Sequence, residues 1–194
     1  LHASALDVDG SGAVFMGDKG AGKSTTAGAF IAAGHSLVTD DIVAIRAEAD
    51  GSFSILPAIA QLKLWEDAAT ALALTHTDRQ VEIHPAIEKR QHWLKSGFAS
   101  NAVPARCIMV LARSTETRIV DFPPGEAVTE LLRFSYVARF GDALLKGARA
   151  IRHLQQCAAV VQAMPIARFE IASGLEHLKD AVKTLEIKLG AQRP

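Results

Sequence analysis

Residues 17–24 read Gly-Asp-Lys-Gly-Ala-Gly-Lys-Ser and fit the pattern G-x-x-x-x-G-K-[ST]. A loop of this kind turns backbone N–H groups toward a polyphosphate, brings a lysine ammonium to the outer phosphates and sets a hydroxyl on Mg²⁺. The expected nucleotide-binding residues are therefore Gly17, Asp18, Lys19, Gly20, Ala21, Gly22, Lys23, Ser24 and Thr25, with Lys23 on the phosphates and Ser24 on the metal. With ordinary residue usage, a chain of this length matches the four fixed positions by accident on the order of 1% of the time. A glycine turn that happens to precede a lysine is the plain alternative, and it leaves the flanking pattern unexplained.

Further on, Gly34-His35-Ser36-Leu37-Val38-Thr39-Asp40-Asp41 ends an apolar run on two acids. A metal-dependent phosphotransferase needs such a pair: one carboxylate can hold Mg²⁺, directly or through water, and the other can accept a proton from an attacking hydroxyl. Adjacent strand residues point to opposite faces, so different roles are expected for Asp40 and Asp41. The alternative is a solvated turn, which Val38 before the pair and Ile42-Val43 after it argue against.

These groups need a strand, a loop and a helix to bring them together. Ala13-Val14-Phe15-Met16 stops at Gly17 and reads as a strand feeding the loop. Residues 24–33 read as a helix ended by Gly34. That order places an anion on free N–H groups at the positive end of a helix. Upstream, residues 2–8 alternate loosely, and Asp9-Gly10-Ser11-Gly12 supplies a hairpin turn. Residues 37–47 are expected as one strand, Asp50-Gly51 as a second hairpin turn and 53–56 as its return strand. Residues 61–65 read as a strand and 66–74 as a helix. Strands are expected over 79–83, 107–112 and 118–122, then helices over 126–139 and 142–164 and a strand over 165–171. Ser173-Gly174-Leu175-Glu176 reads as a capping box opening a last helix, whose stripe of Leu175, Leu178, Val182, Leu185 and Leu189 ends at Gly190. With hairpins on both sides of the loop, the expected fold is α/β with a mixed sheet and a helical C-terminal part. The all-parallel, doubly wound folds of GTPases and nucleoside kinases do not fit that pattern.

A chain of 194 residues is most simply one domain, taken here as 1–194, and is long enough to bury roughly 70% of its unfolded surface. Lys plus Arg equals Asp plus Glu at 21 each, so bulk charge gives no case for binding nucleic acid or a membrane surface. No apolar stretch is long enough to span a bilayer. Cys107 and Cys157 sit in apolar runs without metal-ligand partners nearby in sequence, and buried free thiols suit a reducing cytoplasm. The chain opens on Leu1 rather than Met, so a fragment or trimmed chain is expected, and the lack of a targeting segment carries little weight.

Three stretches together carry a family resemblance: Leu1-His2-Ala3-Ser4-Ala5, then GDKGAGKST, then GHSLVTDD. They resemble the catalytic domain of bacterial HPr kinase/phosphorylase. They look still more like the short HPr-kinase-like proteins, some of which occur with lasso-peptide biosynthesis and phosphorylate a peptide serine. Pro57 and Gln61-Leu62-Lys63-Leu64-Trp65 resemble the P-x-x-x-L-R-L-W segment of those short kinases. The resemblance implies ATP and Mg²⁺ as cofactors and a P-loop fold of the phosphoenolpyruvate carboxykinase-like type. It implies Asp41 as general base toward the acceptor hydroxyl, His2 as a catalytic-site residue, and Lys23 and Ser24 on phosphates and Mg²⁺. Lys23 counts with Asp41 and His2 among the expected catalytic residues, and Ser24 and Asp40 are the expected metal ligands. A serine of a protein or peptide is the implied acceptor, and a homo-oligomer is a further expectation. The chain departs from true HPr kinases in lacking their downstream glycine-rich, Glu-containing segment. With Gln61 at the position of that Glu, metal binding would weaken, and the expected acceptor moves away from HPr itself.

Other residues read more plainly. His35, at a helix end, is expected to be structural, and the spacing of His76, His84, His92, His153 and His177 suggests no zinc site. Lys89-Arg90 and Arg133 could meet the acceptor or the transition state, or form a solvated face. Trp65 and Trp93 could stack on a base, although core packing is the more frequent role. Lys19 stands where the family's loop usually carries Ser, either beside the phosphates or pointing to solvent. Two further readings compete with a kinase. A nucleotide-binding regulatory module would make Asp41 dispensable. A transporter-type ATPase would need an L-S-G-G-Q segment, which the chain lacks.

Overall fold

The hairpin ahead of the loop forms as the sequence suggests. Strands β1 (Ala3–Val8) and β2 (Ser11–Met16) pair antiparallel with Val8 opposite Ser11. Asp9 (φ 51°) and Gly10 (φ 83°) both adopt the left-handed conformation that a two-residue hairpin turn requires. The computed structural model describes residues 1–72, 77–84, 87–143 and 146–190. After the loop come helix α1 (Lys23–Ala32), β3 (Ser36–Thr39), the hairpin β4 (Ala44–Ala47) and β5 (Phe53–Leu56), β6 (Gln61–Trp65) and α2 (Glu66–Ala71). Then follow β7 (Thr77–His84), β8 (Ile87–Leu94), β9 (Val103–Ser114), β10 (Arg118–Asp121), α3 (Pro124–Arg133), α4 (Ala148–Ala163), β11 (Ile166–Ala172) and α5 (Leu178–Leu189).

The main sheet runs β10-β11-β9-β2-β1-β3, and the β4–β5 hairpin joins it where β5 meets the start of β9. The pairs β2–β9 and β9–β11 are parallel and the other pairs antiparallel, so the sheet is mixed, as expected. Its central strands are apolar on both faces. Ala13, Phe15, Cys107, Met109 and Leu111 face one core with Phe30 of α1, Leu62 and Leu64 of β6, and Leu178, Val182 and Leu185 of α5. Val14, Met16, Ile108 and Val110 face the other core with Leu131 of α3 and Cys157 and Val160 of α4. Burying side chains such as Phe15 and Met109 contributes about 1.5–3 kcal/mol each, so the strand that feeds the loop is firmly seated.

Several boundaries differ from the sequence reading. The strand expected over 37–47 is two strands, broken at Asp40–Val43, because Asp41 takes φ 72° and the Thr39 hydroxyl donates to the Ile42 carbonyl at 2.8 Å. Asp is among the few non-glycine residues that tolerate this conformation. The turn that Val38 and Ile42-Val43 argued against is therefore present, and Ile42 lies in it, 48% exposed. Strand β8 was not expected. It forms a separate sheet, β6-β8-β7, with β6 and β7. The helix expected over 66–74 ends at Ala71, and residues 73–74 lie outside the described residues, as does His76. The helix expected over 126–139 is α3, starting at Pro124 and stopping at Arg133, followed by a 3₁₀ segment over Tyr136–Ala143 interrupted at Gly141. The next helix begins at Ala148, not 142, with residues 144–145 outside the described residues. The capping box does not close. A 3₁₀ turn over Leu175–His177 precedes α5, and the Ser173 hydroxyl reaches back to the Ser114 carbonyl at 3.5 Å. Gly34 (φ 93°) and Gly190 (φ 68°) follow α1 and α5 as expected.

His35 is structural, as read. Its ring is fully buried, packs on Phe30 and places Nε2 2.7 Å from Glu186 Oε1 of α5 and Nδ1 3.7 Å from Asp9 Oδ1. Both cysteines are free and buried. Burial pushes the Cys107 thiol up to about 12 and raises that of Cys157 as well. Thiolate is the reactive form, so iodoacetamide at mildly alkaline pH should leave both unlabelled in the native chain and label both in denaturant. Rapid native labelling, read by mass spectrometry, would contradict this burial. No described helix is long and apolar enough to cross a membrane.

Candidate active site

The loop leaves β2 at Gly17 and enters α1 through Gly22. Gly20 (φ 85°) and Gly22 (φ 95°) hold left-handed conformations that a residue with a Cβ rarely adopts, which explains why glycine stands at both positions. Gly22 at the N-cap of α1 offers no side chain to cap it, and the positive end of the helix opens at the loop. The Lys23 ammonium folds back on the loop and donates to the carbonyls of Gly17 (2.8 Å) and Asp18 (3.1 Å).

The loop borders a cavity of about 440 Å³. Lys19, Gly20, Ala21, Gly22, Lys23, Ser24 and Thr25 line it, together with His2 and Asp41. Lys19 is exposed and lines the cavity. Gly17, Asp18 and Asp40 are not on the lining. Asp18 lies outside, where both of its carboxylate oxygens accept from Arg133 Nη2 at 2.8 and 2.7 Å. Arg133 therefore braces the loop from α3 in this structure. Gln61 is also off the lining and bonds the Gln91 amide, so it offers no substitute for a carboxylate there.

The two acids do separate, although through a turn rather than by strand alternation. The half-buried Asp40 accepts from the Ser4 hydroxyl at 2.5 Å and from the Lys63 backbone N–H at 3.3 Å. The Ser24 hydroxyl lies 3.3 and 3.2 Å from the two Asp40 oxygens. Burial raises the Asp40 carboxyl above its ordinary range and the neighbouring Asp41 charge adds to that, while the hydrogen bonds from Ser4, Lys63 and Ser24 oppose it. Asp41 faces the cavity and pairs with the Lys63 ammonium. Ser24 and Asp40 form an all-oxygen donor set that fits Mg²⁺, and a cation there would offset the cost of the buried charge. Among the described residues no three His, Cys, Asp or Glu side chains gather to hold a metal, so the remaining Mg²⁺ ligands would be phosphate and water oxygens.

Several residues at the site escaped the sequence reading. Ser4 lies inside a quoted stretch but has no motif of its own. Arg113, at the end of β9, lines the cavity and donates to the Gly20 carbonyl at 3.3 Å. Residues 171–175, Leu178, Asp67 and Ala68 also line the cavity, all brought in by tertiary packing. Trp65 stands at the cavity, and it and Trp93 are 44% and 38% exposed, not core residues. Arg90 pairs with Glu66 at 3.3 Å, and the side chain of Lys89 lies outside the described residues.

Comparison with known proteins places the similarity at this end of the chain. Residues 1–61 match the family model described as HPr Serine kinase C-terminal domain. An HPr kinase/phosphorylase of Clostridium botulinum (strain Eklund 17B / Type B) is 50% identical over 52 residues, 27% of this chain and 17% of that protein. One from Lachnoclostridium phytofermentans is 46% identical over 50 residues, 26% of this chain and 16% of that protein. The matched stretch thus spans only about a sixth of these relatives' length. A solved structure of the Hpr(Ser) kinase/phosphatase from Coxiella burnetii aligns over 98% of each chain, with 13% identity and a TM-score of 0.47. Residues 1–61, which carry His2, the phosphate loop and both acids, are therefore partially homologous to HPr kinase/phosphorylase through the C-terminal domain family of HPr serine kinases.

Proposed function

We propose that this chain is a Mg²⁺-dependent kinase that transfers the γ-phosphoryl group of ATP to a hydroxyl, a serine of a protein or peptide. The observation that carries the reading is the convergence of the loop, His2 and Asp41 on one cavity while Asp40 sits on the Ser24 hydroxyl. Phosphoryl transfer asks mainly for positioning and charge stabilisation, and each part has a counterpart here. The loop amides and Lys23 would bind the phosphates, and Ser24 with Asp40 would hold Mg²⁺. Mg²⁺ supplies neutralisation of charge on the transferring group. Asp41 would take the proton of the acceptor hydroxyl as that oxygen bonds the γ-phosphorus and the bridging oxygen leaves with ADP. His2 borders the same space and would contact the transferring group or the acceptor. We take residues 1–194 as one catalytic unit, since β9, β11 and α5 complete the cavity that the matched segment begins.

The acceptor is read as a peptide or protein other than HPr, since the sequence lacks the glycine-rich, Glu-containing segment and Gln61 is bonded to Gln91 off the cavity lining. The test is incubation with γ-labelled ATP, Mg²⁺, HPr and an array of serine peptides. Labelled peptide, lost when EDTA removes Mg²⁺, is the expected result. Tight ATP binding with no labelled acceptor would replace this reading by a nucleotide-binding regulatory module.

A further inference from the structure

Residue 63 touches both acids. Its backbone N–H donates to Asp40 Oδ2 at 3.3 Å, and its ammonium pairs with Asp41 Oδ2. It can do both because β6 runs past the turn at Asp40–Asp41, with the neighbouring Leu62 and Leu64 fully buried. Those two leucines lock the strand in register against α1, so the position of residue 63 is set by core packing and not by the loop it serves.

Asp41 needs such a partner. Its backbone sits at φ 72°, outside any strand, and its side chain is 42% exposed. An exposed carboxylate there has several open rotamers, and only some of them face an acceptor. An ammonium held by a partly buried stem on a packed strand selects among them. The Lys63 side chain is only 31% exposed, which limits its own freedom.

We propose that Lys63 is a positioning residue that fixes the Asp41 carboxylate toward the acceptor, while its backbone N–H keeps Asp40 on Ser24. The inference rests on the kinase reading above. It separates two functions within one residue: any side chain but proline preserves the main-chain contact to Asp40, and only a cationic one preserves the contact to Asp41. Arginine can replace the ammonium, because its fork also pairs with a carboxylate.

The test compares Lys63→Met and Lys63→Arg with the parent chain, using γ-labelled ATP, Mg²⁺ and the serine-peptide array, with basal hydrolysis of ATP as a second readout. Lys63→Met should lower kcat about ten- to a hundredfold and leave KM for ATP within about twofold. Lys63→Arg should restore most of the loss. In an Asp41→Asn background, Lys63→Met should cost little more, since the two act through one carboxylate. Full kcat in Lys63→Met, an equal defect in Lys63→Arg, or fully additive losses would each overturn the proposal. Parent protein that neither labels peptides nor hydrolyses ATP would overturn the kinase reading and this inference with it. An inactive Asp41→Asn beside a fully active Lys63→Met would leave the kinase reading standing and remove only the role of Lys63.

Discussion

Asp41→Asn is expected to lower phosphoryl transfer by about a hundred- to ten-thousandfold while ATP binding stays within about twofold. Asparagine keeps the size of the side chain and tolerates the left-handed backbone at φ 72°, so the turn is preserved. It cannot take a proton from a hydroxyl. The loss of charge opposite Lys63 affects an exposed pair, worth roughly 0–1 kcal/mol, and leaves the fold intact. Alanine would confound the result by adding backbone strain. The measurement is single-turnover transfer with γ-labelled ATP, paired with calorimetric titration of ATP. Transfer at the parent rate would remove Asp41 as the base. A matched loss of ATP affinity would move its role from the acceptor to the nucleotide.

Lys23→Met is expected to weaken ATP binding about ten- to a hundredfold, or ~1.4–2.7 kcal/mol, and to reduce transfer by about a hundred- to a thousandfold. The ammonium now lies on the Gly17 and Asp18 carbonyls, within reach of the space the loop encloses. Methionine keeps the stem and removes the charge. The lost hydrogen bonds join a half-buried side chain to its own loop, so global stability should change by only about 0.5–1.5 kcal/mol. Titration of ATP and a denaturant melt together check this. Unchanged affinity would mean that the loop binds its ligand through backbone amides alone.

Much of the site was legible because its chemistry is local in sequence. The glycines at 20 and 22 announce left-handed backbone, and the lysine and serine that follow mark the stretch that lines the cavity. The separation of Asp40 from Asp41 was also legible, but its cause was not. Strand alternation would have placed them on opposite faces, whereas the structure parts them with a turn that begins at the end of β3. Apolar Ile42 hid that turn, because an exposed isoleucine and a buried one look alike in sequence. Strand β8 was missed for a related reason. Its run Ile-Glu-Lys-Arg-Gln-His-Trp-Leu is mostly polar, and it is a strand because β6 and β7 pair with it on either side. Ser4 and Arg113 carry no motif, and Lys63 stands in a segment read only for its resemblance; only the sheet order brings them to the cavity or to the acids beside it.

That order has a consequence for how the site comes into being. The strand that feeds the loop, β2, has β1 on one side and β9 on the other, and β9 begins only at Val103. Beyond β9 lies β11, later still in the chain, and α1 rests on α5 near the C-terminal end. A nascent chain that has emerged only as far as residue 61 would hold the whole recognisable motif without the strand that seats it. Contacts of such long sequence separation form late and slowly. ATP affinity should therefore arise in one step only after β9, β11 and α5 have emerged, and ribosome-bound chains stalled before Val103 should bind none.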